Sequence, residues 1–382
     1  MKKIISIALM LMMLMPLCLA VHAEELNGLP VDPFDEFLDE MDDDIYAGAY
    51  INADGKKCIT VVDEAAINRA LTRSNKAVDA EDFIVEQVKY SMEDLKKAQE
   101  VLFDKHKELN ITLVGLKPSI NGLAVFMPEI TEEGKQAVLS ASPIPNIKFY
   151  ANDEFGTPLA ETEKVDADYD DVDSNMKANA ISVKAGQYLK RNATNDYWSS
   201  VGYRAQIGNQ TGFITCAHGW KKGNSAYLAN GTKLGTITQY ALSETADAAF
   251  VASNFGWYGL QDGTKAKGSG NAIEGDEIIF DGARHYQDGR DRENAKVIAL
   301  NGSGTTDEEQ PFTNAIIFNK PSLHGDSGAA VLVDMTGNSS KYKLVGFVRT
   351  MYPNDKDGKL TWGTACQWKY VRQALGCKFT NS

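Results

Sequence analysis

The sequence predicts an acidic α+β unit followed by an all-β domain of barrel or sandwich type that ends on one helix. Three observations predict it. From about residue 179 onward, short β-like runs alternate with Gly, Asn and Asp turns. Between about residues 45 and 158, one stretch of helical spacing is flanked by strand-like runs. Between the two, the charge balance changes sign: residues 24–180 carry 34 Asp and Glu against 15 Lys and Arg, whereas residues 181–382 carry 18 against 22.

The chain of 382 residues opens on Lys2 and Lys3, followed by an apolar run from Ile4 to Val21 and the small-residue exit Val21-His22-Ala23. This reads as an export signal over residues 1–23. An uncleaved membrane anchor is the alternative; Pro16 and the Val-x-Ala exit favour cleavage. Leu17 is too bulky for lipidation at Cys18. No later run is apolar and long enough to span a bilayer, so the remainder is expected to be secreted and extracellular, with no stable membrane association.

Residues 24–178 form an acidic region of three parts. Residues 24–44 are expected to be a flexible lead-in. The compact α+β part covers about 45–158: residues 46–55 read as a strand into a turn, and 58–62 as a second strand. Phe83, Val85, Val88, Met92, Leu95, Ala98, Val101 and Leu102 predict a helix over 82–108, and 111–115 and 122–127 return to strand. The linker 161–177 is rich in Asp and poor in large apolar residues, which leaves it open to cutting.

Residues 179–382 form the all-β domain. Strands are expected at 201–207, 212–215, 248–251, 277–280, 329–333 and 343–348, and a helix at 368–375. A net charge of −19 on the first region faces +4 on the second, which points to an intramolecular partnership. No dense Lys/Arg stripe suggests nucleic-acid binding. Of the five cysteines, Cys18 leaves with the signal; in the second region either Cys366 pairs with Cys377 and leaves Cys216 free, or all three are buried thiols. No spacing of Cys and His suggests a metal site, and no cofactor is expected.

Three short segments carry chemistry. Serine is a poor nucleophile unless a base lies within hydrogen-bond reach and a third group orients that base. The run His324-Gly325-Asp326-Ser327-Gly328 offers a tight glycine turn that can present a hydroxyl. Taken alone it is equally well a plain β-turn. In Phe213-Ile-Thr-Cys-Ala-His-Gly219 a strand runs straight into a histidine, which alone reads as structural. In Thr245-Ala-Asp-Ala-Ala-Phe-Val251 a carboxylate opens an apolar strand, where burial demands a partner. Read together, His218, Asp247 and Ser327 follow in that order within one β-rich block, unlike the Ser-Asp-His order of α/β-hydrolases.

With those segments in view, the sequence resembles the chymotrypsin-like serine peptidases over about residues 180–377, and looks most like their bacterial α-lytic protease and streptogrisin branch. Thr215-Cys-Ala-His218 is similar to that family's histidine segment, Asp247-Ala-Ala-Phe250 to its aspartate motif, and Gly325-Asp-Ser-Gly328 to its nucleophile turn. The resemblance implies two six-stranded Greek-key β-barrels with a C-terminal helix, and a pro-domain over 24–178 that assists folding and inhibits. It implies that Ser327 attacks a peptide carbonyl, His218 moves the proton, Asp247 holds the imidazole, and the N–H groups of Gly325 and Ser327 bind the oxyanion. It further implies a buried Asp326 with an arginine partner, for which Arg284 is the candidate, a peptide or protein substrate, and a monomer after maturation. Ser322, Val348, Arg349 and Thr350 fall where that family lines its substrate cleft. Arg349 stands in place of a serine that bonds the triad aspartate, and Pro321 falls near the specificity position. Those departures and the odd cysteine pattern leave a second reading, a catalytically inactive relative used as an extracellular binding module. The intact triad speaks against it.

Overall fold

The computed structural model describes residues 28–73, 78, 80–152, 182–191, 198–283, 293–306, 309–323, 325–335, 341–353 and 360–381. The export segment, the linker 161–177, His324 and Arg284 lie outside the described residues.

Residues 28–44 are not a loose lead-in. Asp32 caps helix α1 (Pro33–Asp39), its carboxylate accepting from Phe34 N–H at 2.9 Å, and Pro33 sits at the first helical position. Phe34, Phe37 and Leu38 stand at i, i+3 and i+4 within an acidic run. They bury that face against Ile59, Val61, Phe83 and, from the later half of the chain, Ile273. The acidic composition hid an amphipathic helix.

Strands β1 (Tyr46–Ile51) and β2 (Lys57–Val61) pair antiparallel. Helix α2 (Glu64–Arg73) follows, and β3 (Ile84–Gln87) pairs parallel with β2. The helix expected from residue 82 therefore begins late, as α3 (Met92–Asp104). Phe83 and Val85 fit a two-residue period as well as a helical one, and β2 offers them an edge. The helix starts where Ser91 and Asp94 form a reciprocal capping box, both bonds 3.2 Å. Strands β4 (Leu113–Lys117) and β5 (Gly122–Met127) pair antiparallel, and helix α4 (Glu132–Ala141) carries the chain to β6 (Ile147–Ala151), parallel to β5. Leu95, Ala98 and Leu102 of α3 pack on Val114, Leu123 and Val125.

The later half is mostly β, with barrel-like sheets. After β7 (Ser182–Lys184) come β8 (Tyr188–Lys190), β9 (Trp198–Ser200), β10 (Arg204–Ile207), β11 (Gln210–Thr215), β12 (Ser225–Leu228), β13 (Lys233–Leu242) and β14 (Asp247–Ala252). Next are β15 (Gly256–Gly259), β16 (Gly268–Ser269), β17 (Glu277–Phe280), β18 (Glu293–Thr305), β19 (Pro311–Phe318), β20 (Ala330–Asp334), β21 (Tyr342–Pro353) and β22 (Leu360–Gln367). Helix α5 (Trp368–Leu375) covers the residues the sequence predicts, and β23 (Lys378–Phe379) ends the fold. Gly376, left-handed at φ 61°, closes α5.

The first sheet runs β23-β10-β11-β14-β13-β12-β8-β9, two strands more than the six expected. Its core includes Tyr203, Phe213, Ile214, Phe250 and Trp257. The second closes on itself: β17-β20-β21-β22-β19-β18 form a path whose ends pair, giving a six-stranded ring. Its interior holds Phe280, Val297, Phe318, Val331 and Val348.

That second sheet does not stop at β18. Strand β4 joins β18 antiparallel, Leu300 opposite Leu116 and Ser303 opposite Val114, so β4, β5 and β6 extend it outward. A shared core lies behind this seam: Leu113, Phe126 and Tyr150 meet Ala299, Phe312, Ile317 and Trp362. Gln99 Nε2 donates across it to Asn301 O at 2.6 Å.

Charged contacts tie the halves further. Lys343 of β21, 6% exposed at its side chain, binds Asp35 of α1 at 2.6 Å and faces Asp32 at 4.0 Å. Gly270 admits this pair, since a Cβ there would collide with the Asp35 carboxylate. Lys369 meets Asp39 at 3.3 Å. The charge complementarity read from the sequence is thus realised at α1. It is reversed at Lys117, which binds Glu274, a carboxylate also held by Ser119 N–H and Oγ at 2.8 and 2.6 Å.

Cys58, Cys216, Cys366 and Cys377 are all buried and none is in a disulfide, so the Cys366–Cys377 alternative falls away. Among the described residues no helix is long and apolar enough to cross a membrane.

Candidate active site

Strand β11 delivers its last residue, Thr215, into the turn Cys216-Ala217-His218-Gly219, with Gly219 at φ 77° turning the chain away. Thr215 and Trp220 are both pinned to Ser199, Thr215 Oγ1 to Ser199 Oγ at 2.9 Å and Trp220 Nε1 to the same oxygen at 3.1 Å. The turn that carries the histidine is therefore clamped at both ends.

Asp247 opens β14, and β14 pairs with β11, so the carboxylate arrives beside that turn. It is 3% exposed. Oδ1 accepts from Ala217 N–H at 2.6 Å and His218 N–H at 2.9 Å, and Oδ2 pairs with His218 Nδ1. A buried carboxylate with three partners stays ionised at moderate cost. Burial raises the Asp247 carboxyl, but the His218 charge and hydrogen bonds, with the Arg349 charge, outweigh it and hold it below the ordinary value. For His218 burial opposes the imidazolium, while Cys216 beside the ring and the paired Asp247 carboxylate prevail and raise it well above the usual histidine value. The imidazole is enclosed on its protein side but 39% of the side chain faces open space. With Nδ1–H given to Asp247, Nε2 is the basic nitrogen of the neutral ring.

The Ser327 turn is built from its own backbone. Leu323 N–H donates to Asp326 Oδ2 at 2.7 Å, Asp326 N–H to Leu323 O at 2.9 Å, and Ala329 N–H to Asp326 O at 2.9 Å. Gly325 and Gly328 take φ of 103° and 87°, which side chains other than glycine's avoid. Ser200, fully buried, ties the turn to the first barrel. Its Oγ donates to Gly325 O at 2.8 Å, its N–H to Ser327 O at 2.8 Å, and its Oγ accepts from Ala283 N–H at 2.8 Å. A Cβ on Gly328 would lie 2.5 Å from Cys216 N and 2.8 Å from Thr215 Oγ1. The Ser327–Gly328 step thus rests on Thr215 and Cys216, the strand end just before His218.

These contacts bring His218, Asp247 and the Ser327 turn to one seam between the barrels. Asp326 is completely buried, against the 281–283 segment: a Cβ on Gly282 would collide with its Oδ1. Ser322 is 1% exposed. Val348 puts its side chain in the second core, and its main chain is taken by the turn, N–H to Ala329 O at 2.9 Å and O from Gly328 N–H at 2.8 Å. Arg349, expected on the cleft wall, turns inward instead and is 3% exposed. It reaches the β13–β14 turn because that turn offers two carbonyls to a fork-shaped cation. The side chain of Thr350 lies outside the described residues.

Ser200, Ser199 and Trp220 escaped the sequence reading. None has a local signature; each matters through partners 16 to about 127 positions away. Among the described residues no group of three or more His, Cys, Asp or Glu could hold a metal ion.

No family model matches the chain, and no curated protein matches it. Solved structures do. The protease of Nocardiopsis is 16% identical, with a TM-score of 0.42, covering 52% of this chain and 100% of its own. Protease A of Thermobifida fusca is 17% identical (TM-score 0.41, 53% and 100%), and the chymotrypsin of Cellulomonas bogoriensis 19% identical (0.41, 53% and 100%).

Proposed function

We propose that the protein is a secreted serine endopeptidase made as a precursor. The observation that carries the reading is the pairing of His218 with the buried Asp247 carboxylate, set at the strand end on which the Ser327 turn rests. Residues 1–23 act as the export signal, 24–178 as a pro-region and 179–382 as the peptidase domain.

In this mechanism a peptide or protein substrate enters the seam on the open side of the imidazole. His218 Nε2 takes the proton of Ser327 Oγ as that oxygen adds to the peptide carbonyl. Asp247 keeps the Nδ1–H tautomer and balances the imidazolium. The N–H groups of Gly325 and Ser327 face the developing oxyanion. His218 then returns the proton to the leaving amine, and water, activated by the same nitrogen, releases the acyl group from Ser327. No cofactor enters any step.

The secreted, processed protein and its Ser327→Ala variant are to be exposed to a fluorophosphonate probe and to casein. Labelling and casein hydrolysis by the first, and neither by the second, is the expected result. Equal behaviour of the two overturns the reading.

A further inference from the structure

Arg349 is buried yet makes no ion pair among the described residues at its guanidinium; what it holds is main chain. Nη1 donates to Glu244 O at 2.8 Å and Nη2 to Ser243 O at 2.9 Å. Both carbonyls belong to the turn between β13 and β14. In that turn Ser243 N–H meets Ala246 O at 2.7 Å, and Asp247 follows directly. Thr313 N–H, from β19 of the second barrel, donates to the same Glu244 O at 2.9 Å. The guanidinium lies 5.1 Å from the Phe312 ring centroid and reaches Cys366 Sγ at 3.8 Å. Arg349 is thus rooted in the second barrel and grips the turn of the first barrel that delivers the acidic partner of His218.

We infer that Arg349 is a positioning residue: it fixes Asp247 by clamping residues 243–244 and supplies the positive charge that balances the carboxylate from the second barrel. This rests on the serine peptidase reading above. Two features separate this role from ordinary packing. A buried arginine is costly, and two aliphatic side chains would fill the same space more cheaply. Its fork also matches the two carbonyls, which a lysine cannot span in the same way. Among the described residues, the charged side chains that act on Asp247 are His218 from its own barrel and Arg349 from the other. Tyr240 of β13, Cys216 and Cys366 complete the titratable surroundings.

The test uses the full-length protein carrying Arg349→Met or Arg349→Lys, processed as the wild type is. Two quantities are measured: the maximal rate and half-saturating concentration of fluorophosphonate labelling, and the downfield proton resonance of His218 Nδ1–H. With methionine, the maximal labelling rate is expected to fall about tenfold or more with the half-saturating concentration unchanged, as misplacement of a reacting group predicts. The downfield proton should broaden or disappear. Lysine, which keeps the charge, should recover part of both. Wild-type values for the methionine variant overturn the inference, and so does a lysine variant no better than methionine, which would leave packing alone. If methionine prevents folding, lysine against wild type decides: a reduced labelling rate supports the fork, and an unchanged one overturns it. Absence of labelling in the wild type overturns the peptidase reading instead, and the His218 proton then still judges Arg349.

Discussion

Replacing Lys343 by methionine tests how the N-terminal helix is held. Among the described residues, Lys343 is the cation that acts on Asp32, Asp35 and Asp276 together, with Lys57 also acting on Asp276. Burial opposes its charge, but three carboxylates keep it above the ordinary lysine value. One cation cannot satisfy three acids, and Asp35 shows the deficit. Burial pushes its carboxyl from 3.8 up to about 6, only partly offset by Lys343 and reinforced by Asp32 and Asp276. A carboxyl whose folded value exceeds its unfolded one favours the fold below the unfolded value. That contribution is lost as pH rises through about 6, and a gap of about two units corresponds to ~3 kcal/mol. Methionine removes the cation and leaves the acids, so at pH 8 the loss should be about 3–5 kcal/mol, the range for one broken member of a buried pair. At pH 5 Asp35 enters the core protonated, and the loss should shrink by about 1–3 kcal/mol. The assay is equilibrium urea unfolding of the full chain with Ser327→Ala, in both backgrounds, at the two pH values, followed by tryptophan fluorescence. A loss under about 1 kcal/mol at pH 8, or equal losses at both pH values, refutes the reasoning.

Two further outcomes are expected. Gly282→Ala places a methyl on Asp326 Oδ1; it should cost about 1–3 kcal/mol of stability and slow fluorophosphonate labelling at least several-fold, whereas wild-type labelling would detach the 281–283 segment from the Ser327 turn. Asp247→Asn removes a charge that raises His218 against the opposing pull of burial. A raised imidazole stabilises the fold below the unfolded histidine value and ceases to as pH climbs through the folded one. Relative to Ser327→Ala, thermal unfolding of Asp247→Asn should therefore show a larger deficit at pH 6 than at pH 9; equal deficits contradict the ion-pair account.

The elements that carry His218, Asp247 and Ser327 were legible because each is local. A strand that ends in a histidine, a strand that opens on an acid, and a glycine-flanked serine announce themselves in a few residues. Helix α5 was legible for the same reason. Helix α1 was not, because its three apolar residues are interleaved with three acids and flanked by Asp32 and Glu40, and the partners of Asp35 and Asp39, Lys343 and Lys369, lie 308 and 330 positions away. The start of α3 was misplaced because Phe83 and Val85 satisfy two periods at once; only the edge of β2 decides between them. Arg349 looked like a cleft residue because sequence adjacency to Val348 says nothing about which side of β21 a side chain takes. Ser200 could not be seen at all, since its role consists of bonds to Gly325, Ser327 and Ala283.

The joining of β4 to β18 has a consequence for solubility. Strand β18 spans 13 residues, and β4 covers the stretch around Leu300, Ser303 and Gly304. Were residues 28–152 to leave, that stretch would become a bare strand edge beside Ala299, Phe312, Ile317 and Trp362, all now wholly enclosed. An unpaired edge next to apolar surface invites a foreign strand. Residues 28–152 thus cover one flank of the barrel, and their departure without a substitute would trade a closed sheet for an adhesive one.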